Sequence, residues 1–223
     1  MLRSLCHELV KLRIQKKNYV MLGGHLLFLG LCYLAFRSAQ GNFFLRFDKT
    51  MNFHVEDLTS YLEGLFFARI AMVPTFIVLM PIVVATLAGD CVAGEMQEGS
   101  LKLYVSRPRS RSRIILSKFF AVYLATLLYC LYFAALNIAI GVLVLNISPT
   151  QLVMLTDRVF GTDVVIMGVR GALLRYFAAT VYFSFSLTAL GAITLFLSTV
   201  FNRMSAATVT VISFYFVSYV IAD

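Results

Sequence analysis

Five long apolar runs, separated by short polar segments, make up most of this chain. Each run has 18 to 27 residues and contains no Asp, Glu, Lys or Arg. A helix needs about 20 apolar residues to cross a bilayer. The pattern therefore predicts an all-α, polytopic transmembrane bundle that forms a single domain over residues 1–223. The predicted spans are 19–36, 70–88, 119–145, 176–201 and 204–222.

The first 18 residues have a different pattern. Leu2, Leu5, Leu9 and Leu12 recur at helical spacing, and charged residues occupy the other faces. This period predicts an amphipathic helix that lies along the membrane surface. The alternative is a frayed basic start without a partner.

The most polar and most basic segment is 89–118, between the second and third spans. It carries six Lys/Arg and three acidic residues. Ser100 can cap a short apolar helix over Leu101–Val105, and Arg107-Pro108 would end it. Apolar side chains with a basic rim suit a groove on a soluble partner. The alternative is that the arginines bind anionic lipid headgroups.

Local signals predict further features around the spans. Glu95 and Glu98, three residues apart, are interpreted as forming surface salt bridges. Pro74 and Pro81 should bend the second span, because proline removes a backbone donor. Asp57 is a plausible N-cap of a short helix leading into that span. Ser148-Pro149 has the signature of a helix start.

Lysine and arginine are distributed unequally between the two sides of the membrane. With the N-terminus inside, the inner segments hold 12 of them and the outer segments hold 7. The positive-inside rule therefore places the N-terminus and segment 89–118 in the cytoplasm, with the chain in the plasma (inner) membrane.

Composition agrees with a membrane protein. Hydrophobic residues are 60% of the chain and the mean hydropathy is +0.86, which excludes an ordinary soluble domain. The net charge of +8 is interpreted as positive-inside bias rather than as a nucleic-acid interface. Four cysteines without CxxC or Cys/His spacing predict no metal site.

Catalytic and ion-coupling motifs are missing from the sequence. Membrane transporters driven by ions place an ionisable residue within the membrane, and the only candidate here is His25. We interpret it as a packed or interfacial histidine, with a proton relay as the alternative. The chain is therefore expected not to be an enzyme, and its energy source is expected to lie elsewhere.

Small polar residues recur in the fourth and fifth spans. They indicate either close helix packing or a weakly polar lining, and for the second case the candidate path residues are Ser184, Thr188 and Ser213. With 20 Phe and 11 Tyr, the lining favours a hydrophobic or amphiphilic substrate.

The polar segment contains a series of short motifs that together resemble the cytoplasmic loop of type-2 ABC exporter permeases. About thirty residues match in register, and the tight inner turn at Asn202-Arg203 also agrees with that family. The matching motifs are Gly89-Asp90, Ala93-Gly94-Glu95, Glu98-Gly99-Ser100-Leu101, Ser106-Arg107-Pro108, Ser110-Arg111 and Leu116-Ser117-Lys118.

The resemblance implies a permease that pairs with a second permease copy and with cytoplasmic ATPase subunits, which would hold ATP and magnesium. No cofactor is expected in this chain. The family's coupling helix would map onto Ser100–Arg107 and its connecting helix onto Leu2–Lys16. The residues expected to contact the ATPase are Glu95, Gly99, Ser100, Leu101, Lys102, Leu103, Tyr104, Arg107, Arg111, Leu5, Leu9 and Leu12.

One feature departs from the family. Its members have six spans, whereas five are found here before Asp223, so a sixth is expected to be missing from the sequence. Two other functions remain open: a non-transporting subunit that transmits force to an extracytoplasmic partner, and a membrane anchor that binds anionic lipids.

Overall fold

The computed structural model describes residues 16–51, 64–97, 99, 111–145, 150–157, 161–201 and 203–222. Seven α-helices and two strands lie in these ranges. The helices are α1 (Lys16–Met51), α2 (Gly64–Pro74), α3 (Met80–Gly89), α4 (Glu95–Gln97), α5 (Arg111–Leu145), α6 (Val169–Val200) and α7 (Met204–Ala222), with π-helical turns at Thr75–Leu79 and Asp90–Gly94.

Five helical segments are long and apolar enough to cross a membrane, which confirms the predicted polytopic helical bundle. They are Lys17–Ser38, Gly64–Gln97, Ser112–Leu145, Val169–Val200 and Met204–Ile221. The second span, Gly64–Gln97, is the most buried of the five. Large apolar side chains on the other spans are exposed, among them Leu27, Leu143, Tyr182 and Phe214. Such surface is stable against lipid rather than water.

The helices extend beyond the predicted spans. α1 continues to Met51, and the second span continues through α4 to Gln97. Because α5 begins at Arg111, directly after Ser110, only residues 98–110 separate the second span from the third. Residues 1–15 of the predicted amphipathic helix and the predicted helix start at Asp57 lie outside the described residues.

A β-hairpin joins α5 to α6, and here the predicted helix start at Ser148-Pro149 is wrong. Strands β1 (Thr150–Asp157) and β2 (Gly161–Gly168) pair antiparallel, with Thr150 opposite Gly168 and Asp157 opposite Gly161. The strands are rich in Val, Thr and Ile, which favour extended backbone. This preference outweighed the local Ser-Pro signal.

The two prolines of the second span flank a π-helical turn. Pro74 ends α2, Thr75–Leu79 form the turn, and Pro81 lies in the first turn of α3. Because Pro81 has no N–H, the carbonyl of Ile77 loses its usual α-helical donor. The Tyr215 hydroxyl donates to that carbonyl at 3.1 Å. The predicted distortion of this span is therefore a π-turn supported by α7.

The contacts divide the chain into two compact units. Unit 1 contains residues 1–22, 76–130 and 181–223. In it α7 packs against α3, and Gly191 of α6 contacts the side chains of Val84 and Val122. A small residue at this position lets three helices approach closely.

Unit 2 contains residues 23–75 and 131–180. Its core includes Leu29, Phe67 and Ala71, and the rings of Phe36 and Phe67 meet edge to face at 5.5 Å. The backbones of Gly64 and Gly141 touch, so that a methyl group on either residue would overlap the other. Glycine is therefore required at this contact between α2 and α5.

Candidate coupling site

The site is built in unit 1 at the two ends of segment 98–110. On one side are the π-turn Asp90–Gly94 and the short helix α4, and on the other side is the first part of α5. The groups that position these ends come from all five helical spans. We call this group the loop base, and its members are Lys17, Gly89, Asp90, Cys91, Ala93, Glu95, Lys118, Ser198 and Met204.

A buried ion pair closes the loop base. The Lys118 Nζ atom lies 2.8 Å from Glu95 Oε1, and the two side chains are only 2% and 7% exposed. Glu95 precedes segment 98–110 and Lys118 follows it, so the pair ties its two ends together. Breaking a buried pair costs about 3–5 kcal/mol, because the remaining charge is left uncompensated.

The same ammonium group also holds the backbone of the π-turn. Lys118 Nζ donates to the carbonyl oxygen of Cys91 at 2.8 Å. A π-turn shifts the helical hydrogen-bond pattern, and carbonyl groups there can accept bonds from side chains. Lys118 thus fixes both the carboxylate of Glu95 and the backbone four residues before it.

Ser198 of α6 bridges the other side of the π-turn. Its hydroxyl donates to the carbonyl of Gly89 at 2.8 Å and accepts a bond from the N–H of Ala93 at 2.8 Å. One serine therefore uses both its donor and its acceptor capacity to hold the backbone where α3 passes into the π-turn. A methyl group added at Gly89 would overlap the Thr208 methyl group of α7, so the fifth span also passes close to this position.

Lys17 connects the start of α1 to this group. Its Nζ atom lies 3.0 Å from Asp90 Oδ2, and it is 3.5 Å from the sulfur of Met204. The Lys17 side chain is 51% exposed, so this pair is weaker than the buried one. The first, second, third, fourth and fifth spans all contribute to the loop base.

Gly99 lies just after the C-terminal end of the second helical span. Its φ angle is +73°, a left-handed conformation that favours glycine. Its N–H donates to the Met96 carbonyl at 3.2 Å, as in a helix C-terminal glycine motif. Three of the residues expected to contact an ATPase are thus described. Glu95 belongs to the loop base, Gly99 follows α4, and Arg111 is the first residue of α5.

The other expected ATPase contacts lie outside the described residues, so their role stays a prediction. They are Leu5, Leu9, Leu12, Ser100, Leu101, Lys102, Leu103, Tyr104 and Arg107.

The interpretation of Glu95 as a surface salt-bridge residue is wrong, since Glu95 is buried and pairs with Lys118. Sequence reasoning missed this partner, although Lys118 stands directly before an apolar run. A lysine at such a position must be paired when it is buried, and that was the available signal.

The candidate path residues lie on two helices, Ser184 and Thr188 on α6 and Ser213 on α7. The hydroxyls of Ser184 and Thr188 donate to carbonyls of their own helix, those of Val181 and Phe185, while Ser213 is exposed. A path role for these three residues is untested. Among the described residues, no group of three His, Cys, Asp or Glu side chains is placed to hold a metal ion.

A comparison with protein-family models agrees with this arrangement of spans and loop base. The model described as "ABC-2 family transporter protein" matches residues 11–223. The chain belongs to this family, and it is a membrane permease of an ABC transporter. Membership implies association with ATP-binding subunits. Comparisons with curated proteins and with solved structures found no match.

Proposed function

We propose that this permease exports a hydrophobic or amphiphilic substrate, driven by separate ATPase subunits that dock on segment 89–118. The ATPase subunits would bind ATP and magnesium, and a second permease copy would complete the path. The N-terminus and segment 89–118 would face the cytoplasm, with the protein in the plasma (inner) membrane. The lysine and arginine distribution supports this orientation.

The observation that carries the proposal is the loop base. A docked subunit moves a membrane helix only if the docking segment is attached firmly to that helix. The Glu95–Lys118 pair attaches segment 98–110 to the second and third spans. Ser198 and Lys17 connect the same place to α6 and α1. Motion of the segment would thus reach several spans together.

The apolar residues of segment 98–110 provide the test. The permease is purified with its cognate ATPase subunit, and complex formation and ATPase stimulation are measured for Leu101→Asp/Leu103→Asp. We expect loss of both, because a charge in an apolar groove is not compensated. The matched control is Leu101→Met/Leu103→Met, which preserves volume and apolar character and should behave as the wild type.

Three results would contradict the proposal. Unchanged assembly and stimulation in the Asp variant would show that the ATPase docks elsewhere. ATP turnover in sealed vesicles without movement of any amphiphile tested would instead favour a subunit that transmits force to an extracytoplasmic partner. Salt-sensitive binding to anionic vesicles, without ATPase association, would favour a lipid-binding anchor.

A further inference from the structure

A group of neighbouring polar side chains lies within unit 2, whose interior is otherwise apolar. The Asn137 side chain of α5 adjoins both the His25 ring and the Tyr176 hydroxyl. Tyr176 is in turn next to the Arg69 guanidinium, which donates to the Ala172 carbonyl at 2.9 Å. Polar groups that are far apart in the sequence are thus brought together by four helices.

Two side chains of this group are fully buried. His25 and Asn137 are both 0% exposed. Neither ring nitrogen of His25 and neither amide atom of Asn137 makes a hydrogen bond within the described part of the chain. By contrast, the Tyr176 hydroxyl donates to the Ala134 carbonyl at 3.3 Å. A buried polar atom without a partner costs about 1–3 kcal/mol, so a group that bonded to these four atoms would stabilise unit 2.

Packing around the ring makes His25 rigid. It stacks on Phe133 with ring centroids 3.9 Å apart and an interplanar angle of 19°. One face of the ring is therefore covered by an aromatic group. The Asn137 side chain adjoins the ring, and a small molecule that bridges two neighbouring polar groups can satisfy both.

The hydrogen-bond donors and acceptors of His25 and Asn137 limit the kind of ligand that can bind between them. A neutral imidazole has one donor and one acceptor nitrogen, and an amide has both functions as well. A molecule that bridges them must therefore donate and accept. A hydroxyl does both, whereas an ion would be left without a compensating charge from these two neutral side chains.

We propose that His25 and Asn137 form a binding site, inside the membrane-spanning part of unit 2, for a neutral hydroxyl group. The hydroxyl is supplied by a water molecule or by an amphiphile that enters the bundle. The site does not depend on ATPase docking, so it can be confirmed or rejected independently of the proposed function.

The test observes the His25 ring directly. The chain contains only three histidines, His7, His25 and His54, so protein with ring-¹⁵N histidine in lipid bilayers gives a simple spectrum. The His25 signals are assigned from a His25→Phe variant. Solid-state NMR then measures magnetisation transfer from water to the ring nitrogens. We expect transfer to His25 in the wild type and its loss in Asn137→Leu.

The source of the hydroxyl is distinguished with 1-dodecanol, using dodecane as the control that lacks a hydroxyl. If water transfer persists and 1-dodecanol leaves the His25 resonances unchanged, the bound group is water. If 1-dodecanol shifts the resonances and replaces the water signal while dodecane does neither, the site accepts an amphiphile. Both results support the site.

Absence of contact from the wild-type ring to both water and 1-dodecanol would overturn the proposal, and this measurement needs no variant. Unchanged water transfer in a folded Asn137→Leu variant would also overturn it, since Asn137 would then be no part of the site. Thr126→Val is the matched control. Thr126 of unit 1 also buries a hydroxyl oxygen without a described partner, and its loss should leave the His25 signals unchanged.

Discussion

Two groups of buried polar side chains, one in each unit, differ in how they are paired. Unit 1 buries Lys118 and Glu95 against each other and satisfies Ser198 with two backbone bonds to the second span. Unit 2 buries His25 and Asn137 side by side, without hydrogen bonds to other described groups. A paired group resists movement, whereas an unpaired group favours a ligand.

The difference agrees with the proposed function. If ATPase subunits dock on segment 89–118, the loop base would transmit displacement between helices, and its short, charged contacts suit that task. The interior of unit 2 combines aromatic and glycine packing with the polar site at His25 and Asn137. Substitutions that remove single contacts in each unit test this difference.

Removing one partner of the buried ion pair should have the largest effect. Lys118→Met leaves the Glu95 carboxylate buried without its counter-charge, and we expect a loss of about 3–5 kcal/mol. Denaturation in mixed micelles measures the free energy of unfolding. The double variant Glu95→Gln/Lys118→Met should recover much of this loss, because no charge remains buried. A single variant within about 1 kcal/mol of the wild type would contradict the pairing.

Unit 2 should be most sensitive at its glycine contact. Gly141→Ala places a methyl group against the backbone of Gly64, and we expect a loss of about 1–3 kcal/mol from overpacking. Gly30→Ala is the matched control, since Gly30 has open space around it. Equal stability of the two variants in the same micelle assay would show that the close approach of α2 and α5 is not required.

Ser198→Ala should have an intermediate effect. It removes two hydrogen bonds to the second span, at about 0.6 kcal/mol each in a membrane protein, and we expect a loss near 1 kcal/mol. Ser184→Ala serves as the control, because the Ser184 hydroxyl bonds only within its own helix. A loss for Ser184→Ala as large as that for Ser198→Ala would reject the bridging role.

Lys17→Met should have the smallest effect. The Lys17–Asp90 pair is half exposed on the lysine side, so solvent screens it and its contribution is at most about 0.5 kcal/mol. Raising the salt concentration should remove the difference from wild type. A loss as large as that of Lys118→Met would mean that the two ion pairs are equivalent.

The sequence predicted the spans well, because an uncharged run of about 20 apolar residues has few other stable environments. It missed the ends of the helices. The segment from Asp90 to Gln97 contains charged residues, which favour a loop, but it is helical and residues 91–95 are buried, with Glu95 paired to Lys118. Charge alone does not show whether a distant partner exists.

Two other features depended on contacts that a linear pattern does not contain. The hairpin replaced a helix because cross-strand pairing outweighed a two-residue signal at Ser148-Pro149. The burial of His25 was compatible with the interpretation of a packed histidine, but its neighbour Asn137 is 112 positions away. Nothing in the local sequence of either residue indicates the other.

Photo-crosslinking tests the central claim of ATPase docking most directly. A photoreactive amino acid replaces Leu103 in segment 98–110 or, as a control, the exposed Leu143 near the far end of α5. With 35 residues, this helix is about 50 Å long, so the two ends face different compartments. We predict a crosslink from position 103 to the ATP-binding subunit and none from position 143. The reverse pattern, or a crosslink from neither position in the assembled complex, would contradict the account.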